Sequence, residues 1–261
     1  MTPRSYDQGI RLSQYRPGHV FWMSRGATWL NTDKPRPFAL STPCGVGAAG
    51  TLIYGSTRET EARFEATCVH IDPRPGGVNR NGLTERTTFY PGILVRDRYE
   101  RLPPHAGTVG TSLGALRAAL HDALGIGTGS CLTAGSAPGS LRGRIVRLEH
   151  RRAQALRTPF AVLLTEPRYS IAKHYQLILP LVPDGGLAAP HVLRLPGGEW
   201  MGVFDAPIRS VLLPIPLVHS IWHARDIERE THFVLDEASL AKIDSRLCDF
   251  FSLPVPKPGE S

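Results

Sequence analysis

A chain of 261 residues has room for one large domain or two of about 130. With 41% hydrophobic and 20% charged residues it lies far from the composition of disordered chains, and no apolar run reaches the roughly 18 residues of a membrane span. The net charge of +7, carried by arginine far more than lysine, favours polyanionic partners without singling out nucleic acid.

The first segment, MTPRSYDQGIRLSQYRPG, lacks the apolar core of a signal peptide, so a cytoplasmic protein is expected. Next come four apolar stretches of strand character: GHVFWM from Gly18, PFAL from Pro37 behind the basic, proline-locked KPR, TLIYGST from Thr51, and FYPGILV. Turn-forming DPRPGGVNRNG separates the third from the fourth. Leu113, Leu116, Leu120 and Leu124 then form the stripe of an amphipathic helix capped by Thr111 or Ser112. Residues 127–140, GTGSCLTAGSAPGS, read as a linker.

After the linker the same order returns. GRIVRL from Gly143 matches GHVFWM, PFAV from Pro159 matches PFAL, QLILPLV from Gln176 matches TLIYGST, and LLPIPLV matches FYPGILV with Pro214 opposite Pro91. The closing stripe is Leu240, Ile243, Leu247 and Phe251, with Asp236 as cap. An internal duplication is therefore expected, each copy a small antiparallel barrel or sheet followed by one helix. The four cysteines, Cys44, Cys68, Cys131 and Cys248, are scattered and read as reduced thiols. His219 and His223 are spaced for one helix face, but without a third ligand they give no metal site.

The segments YRPGHVFWM, KPRPFALSTP, GTLIYGST, GILVRDRYERL and SLGALRAALHDALG together resemble the MazF/PemK family of toxin endoribonucleases. That resemblance implies a mainly β fold with α (α+β): two SH3-like barrels, each with a C-terminal helix, in a pseudo-twofold arrangement. The first would cover residues 15–126 and a degenerate second copy 141–253. The implied activity is metal-independent cleavage of single-stranded RNA, without a cofactor, by an arginine of the R-P pair and a hydroxyl at the end of the following strand. The matching residues are Arg36 and Thr57, with Ser56 as the register alternative. In such cleavage the 2′-hydroxyl is the nucleophile, so a guanidinium fork and a neighbouring hydroxyl serve to hold the phosphate and stabilise its developing charge. Arg25, Lys34 and Arg58 are candidates for further RNA contacts. His19 is a candidate auxiliary acid or base, because histidine ordinarily titrates near neutrality.

In the second copy Thr158 stands at the Arg36 position and Pro183 at the Thr57 position, so that half is expected to be inactive and to replace the partner subunit of a homodimer. The chain would then act as a monomer, with a cognate antitoxin bearing an acidic tail as a possible partner and no membrane association. The alternatives are a non-catalytic CcdB-like inhibitor and a regulatory binding module of a toxin-antitoxin system.

Overall fold

The computed structural model describes residues 15–23, 34–42, 49–58, 68–76, 80–128, 141–165, 175–184, 192–196, 204 and 210–255. The fold is mixed α/β, and among the described residues every strand pairing is antiparallel. The chain divides into two compact units, Met1–Leu120 and His121–Ser261, which part within helix α1 (Leu113–Ala123) rather than at the linker expected over 127–140.

The first unit contains β1 (His19–Met23), β2 (Arg36–Leu40), β3 (Ala49–Ser56), β4 (Val69–Ile71), β5 (Thr87–Arg98) and β6 (Gly107–Thr108). They form one sheet in the order β4-β5-β3-β2-β1-β6. Alternate residues of the central strands put Phe21, Met23, Phe38, Leu40, Leu52 and Val95 into one cluster, closed by Tyr99 and Leu102. Gly50 is required beneath it: a Cβ there would lie 2.7 Å from Leu40 Cδ1 and 3.0 Å from the Tyr99 ring. Asn81 orders the expected turn, its Oδ1 accepting from the N–H groups of Arg74 and Leu83 while its amide donates to Asp72 O.

The second unit contains β7 (Arg144–Leu148), α2 (His150–Leu156), β8 (Phe160–Leu163), β9 (Tyr175–Pro180), β10 (Val182–Pro183), β11 (Val192–Pro196), β12 (Ser210–Pro214), β13 (His219–Trp222), β14 (Ile227–Val234) and α3 (Glu237–Phe251). One sheet runs β13-β9-β8-β7-β14 and a second β10-β12-β11. Its cluster is Val146, Leu148, Ala161, Leu163, Ile178 and Ile221, with Ala153 and Leu156 of α2 against it. Asp236 caps α3, as expected, by accepting from Ser239 N–H at 2.7 Å. At the start of α1 the chain instead takes a 3₁₀ turn over Gly110–Ser112, and Thr111 Oγ1 accepts from Arg74.

Several hydrogen bonds of the two units correspond. Gly18 and Gly143 both adopt positive φ, +88° and +81°, open to glycine at little cost. Gly18 N–H donates to Leu40 O and its carbonyl accepts from Val109; Gly143 does the same with Leu163 and Leu235. The Thr42 hydroxyl accepts from Thr51 N–H, and the Thr165 hydroxyl from Leu177 N–H. Continued along the strands, these pairings equate β3 with β9 plus β10, β5 with β12 plus β13, and β4 with β11. The register irregularity opposite Ile53 and Tyr54, where β5 carries extra residues around Pro91–Ile93, matches the 3₁₀ turn Ile215–Leu217 that separates β12 from β13.

The pairings also correct the sequence match by one residue. Leu163, not Val162, is the counterpart of Leu40, so Pro159 rather than Thr158 occupies the Arg36 position; Leu177 rather than Gln176 answers Thr51, and Pro183 stays opposite Thr57. Residues 160–164 are buried on both faces of the sheet, so their apolar run carries no alternation to set the register.

Candidate active site

Arg36 opens β2, its backbone paired with Met23 of β1, and the next residue, Pro37, has no N–H to donate. Its side chain belongs to the face that carries Phe38 and Leu40, yet it is charged and only 9% exposed. The Arg36 Nε is buried without a hydrogen-bond partner. A buried donor left unsatisfied costs about 1–3 kcal/mol, and more on a charged group, which is a reason to look for an anion that would complete it.

Polar residues follow one another across the sheet from Arg36. The β2–β3 pairing runs from Leu40–Leu52 to Phe38–Tyr54, and continued two residues past that last pair the same register would bring Ser56 to face Arg36. Ser56 pairs with Thr88 on β5, and Thr88 with His70 on β4. Facing residues of an antiparallel pair share one side of the sheet, so Arg36, Ser56, Thr88 and His70 form a single transverse row. The His70 ring leans along this row: its Nδ1 lies 2.9 Å from Thr88 Oγ1, and its Nε2 is 3.8 Å from Cys68 Sγ. One step inward lies an aromatic row in which Phe38 meets Tyr54 edge-on at 5.6 Å and Tyr54 stacks on Tyr90 at 6.0 Å.

Of the residues named from sequence, Arg36 and Ser56 fall at matching register positions at one end of the sheet. Thr57 is half-buried and follows the strand end, so Ser56 is the hydroxyl in the Arg36 row. Lys34 is exposed two residues before Arg36, and exposed Arg58 uses its backbone N–H to donate to Ser56 Oγ at 3.2 Å. Arg25 lies outside the described residues. His19 is not part of the row. It begins β1 opposite Leu40, about four residues or roughly 13 Å along the sheet from Arg36. There it stacks on His105 at 4.0 Å and accepts from Arg16 N–H. Burial, reinforced by His105 and Arg16, lowers its pKa to about 4, so it is neutral at pH 7 and does not titrate near neutrality as the sequence reading supposed.

Sequence reasoning passed over His70, Thr88 and Cys68. The available signal was the spacing in CVHI, which puts Cys68 and His70 on one face of a strand. His219 lies in β13 and helical backbone begins only at His223, so the two do not share a helix face. Among the described residues no three His, Cys, Asp or Glu side chains converge as a metal site, and no helix is long and apolar enough to cross a membrane.

The other buried charges serve the fold. Arg142, with no exposed surface, pairs with Asp244 of α3, whose other oxygen accepts from Gly127 N–H at 2.9 Å. This ties the entry to β7 to the final helix. Burial pushes the Asp244 carboxyl above the usual range, against the pull of Arg142. Burial likewise raises the Cys248 thiol to about 11, leaving it unreactive at neutral pH.

Comparison of the chain with protein-family models and with curated proteins finds no match.

Proposed function

We propose that the protein is a single-chain, pseudo-dimeric endoribonuclease of the MazF/PemK toxin type, cleaving single-stranded RNA in the cytoplasm without a metal. The observation that carries this reading is the buried Arg36, whose Nε has no hydrogen-bond partner, at the register position that faces Ser56. In this reading Arg36 binds the scissile phosphate and stabilises charge on its oxygens as the RNA 2′-hydroxyl attacks, with Ser56 holding another oxygen.

The second unit is read as a degenerate copy of the same SH3-like barrel and helix, supported by the matching hydrogen bonds of Gly18 and Gly143. It stands in for the partner subunit of a homodimer, and the active chain is a monomer. An antitoxin with an acidic tail is the protein partner this reading implies, complementary to the net charge of +7. Incubating purified protein with a long unstructured transcript in excess chelator tests the activity. Fragments with 2′,3′-cyclic phosphate and 5′-hydroxyl ends are expected; intact RNA rejects the reading.

A further inference from the structure

The first unit carries positive charge that its own side chains leave unanswered. Nearly all of the net charge of +7 belongs to residues 1–120, and acidic and basic residues almost balance after them. We propose that the corner of the first unit formed by Arg16, Arg74, Arg80 and His105 is a second binding surface for single-stranded RNA, the arginines holding phosphates and the imidazole carrying a base. The endoribonuclease reading supplies the identity of the nucleic acid as RNA. The surface itself lies apart from Arg36, at the opposite end of β1.

The four residues are gathered around the short edge strand β6. His19 pairs with Thr108, whose N–H donates to Arg80 O at 2.9 Å. A Cβ at Gly107 would run into that same Arg80 carbonyl, so the backbone at 80 is seated directly on β6. Buried Asn81 accepts from Arg74 N–H at 3.0 Å, and the Arg74 guanidinium reaches over Gly110 to donate to Thr111 Oγ1 at 3.0 Å. His19 stacks on exposed His105 at 4.0 Å, and the Arg16 charge is near enough to help hold the His19 pKa down.

These charges have no answer within the unit. Arg16 and Arg80 are exposed, the Arg74 side chain bonds only a neutral hydroxyl, and among the described residues no carboxylate lies within ion-pair distance of the three. Asp72, two residues from Arg74, pairs with Arg86 at 3.8 Å. The matching corner of the second unit is neutralised instead. Arg144 stands at the His19 position and pairs with Glu230 at 3.5 Å, while Asp236 and Glu237 follow Leu235 where Gly110 and Thr111 follow Val109. Guanidinium forks fit phosphate oxygens, and an exposed ring beside them fits an unpaired base. An acidic protein tail would use the arginines alone, so the stacked imidazole favours RNA.

Fluorescence anisotropy across a salt series tests the surface, with a mixed-sequence 2′-O-methyl RNA pool that has no free 2′-hydroxyl and so survives the proposed cleavage. Each single-strand phosphate contact contributes about 0.7 to the slope of log affinity against log salt, so Arg74→Gln combined with Arg80→Gln is expected to lower that slope by about 1.4. Arg80→Gln alone, which leaves the Arg74–Thr111 bond and the Arg80 backbone contact in place, should lower it by about 0.7 with an unchanged thermal melt. Arg98→Gln removes the same charge from an exposed arginine held by Glu100 and should leave the slope as it is. His105→Ala should weaken binding about fivefold or more at an unaltered slope. An unchanged slope in Arg80→Gln and in the double variant overturns the proposal, as does a fall in Arg98→Gln equal to that in Arg80→Gln. Retained RNA binding with lost binding of a polyglutamate peptide overturns it in favour of an acidic protein partner. A wild type that binds the pool through these arginines but cleaves no unmodified RNA in chelator overturns the endoribonuclease reading and leaves the surface standing.

Discussion

The row that reads Met23, Arg36, Ser56, Thr88 and His70 in the first unit reads Leu148, Pro159, Val182, Leu212 and Arg194 in the second. The backbone pairings are matched, but the chemistry is not. One row carries a buried guanidinium with an unpartnered nitrogen and a line of hydroxyls. The other is apolar until its last member, and Arg194 there is exposed and held by Asp184, which also accepts from the Ser210 hydroxyl. The comparison teaches that strand order and register come from main-chain hydrogen bonds and the inner core, while residues at the end of the sheet remain free to gain or lose function.

The cores differ in a related way. Phe21 and Phe38 of the first unit stand where Val146 and Ala161 stand in the second, a large loss of side-chain volume at matched positions. Helix α2 follows β7 in the second unit and lays Ala153 and Leu156 against this smaller cluster, supplying apolar contact from outside the sheet.

The sharpest way to set the two units apart is at the second unit's buried ion pair. Asp244→Ala leaves Arg142 charged and uncompensated and is expected to cost about 3–5 kcal/mol, read as a shift of the denaturant midpoint monitored in the second unit. Replacing both partners, Arg142→Met with Asp244→Leu, should recover most of that loss; no recovery would mean the pair does more than neutralise itself.

Next in size is the Arg36 row of the proposed site. Arg36→Ala should lower RNA cleavage about 10²–10³-fold with little change in melting temperature, and Ser56→Ala should lower it by less. Pro159→Arg in the second unit should add no activity, because Val182 and Leu212 provide no hydroxyls. Arg157 lies two residues before Pro159, and a strong loss from Arg157→Ala with none from Arg36→Ala would show that the comparison had been drawn the wrong way round.

A smaller effect separates the two cores. Ala161→Phe, which copies Phe38 into the matched position, should destabilise the second unit by about 1–3 kcal/mol through overpacking against the elements around α2. Chemical denaturation measures it, and a stabilised variant would show room where the structure has none.

The smallest effect concerns the entrance to the first strand of each unit, where His19 is matched by Arg144, which pairs with Glu230 at 3.5 Å. The folded state favours neutral His19, with its pKa lowered from the ordinary 6.5 to about 4. Its contribution to stability is therefore fully present above pH 6.5 and is lost as the pH falls through the window from 6.5 to about 4. Melting temperature against pH should flatten across that window in His19→Gln; an unchanged slope would assign the acid sensitivity to other groups.

Much of this could be read from the chain itself. The stripe Leu240, Ile243, Leu247, Phe251 recurs at helical spacing behind an aspartate, and it forms a capped helix because those side chains have one apolar side to bury. Arg36 was legible as a charged residue opening an apolar strand. The row it belongs to was not: β4 has only three residues, too short to show alternation, and His70 comes into line with Ser56, across Thr88, only because both strands pair with β5. Helix α2, HRRAQAL, lacks an apolar stripe broad enough to announce itself, and it closes with Arg157 in a left-handed conformation.

By itself, then, the sequence determined the periodic elements and their order, because periodicity and turn chemistry are local properties that every few residues express. Tertiary structure alone decided the one-residue registers, the split of the second unit's strands into two sheets, the displacement of His19 from the site and the burial of Arg36. Those outcomes depend on which strand lies beside which, and interstrand hydrogen bonds join residues that the chain keeps tens of positions apart.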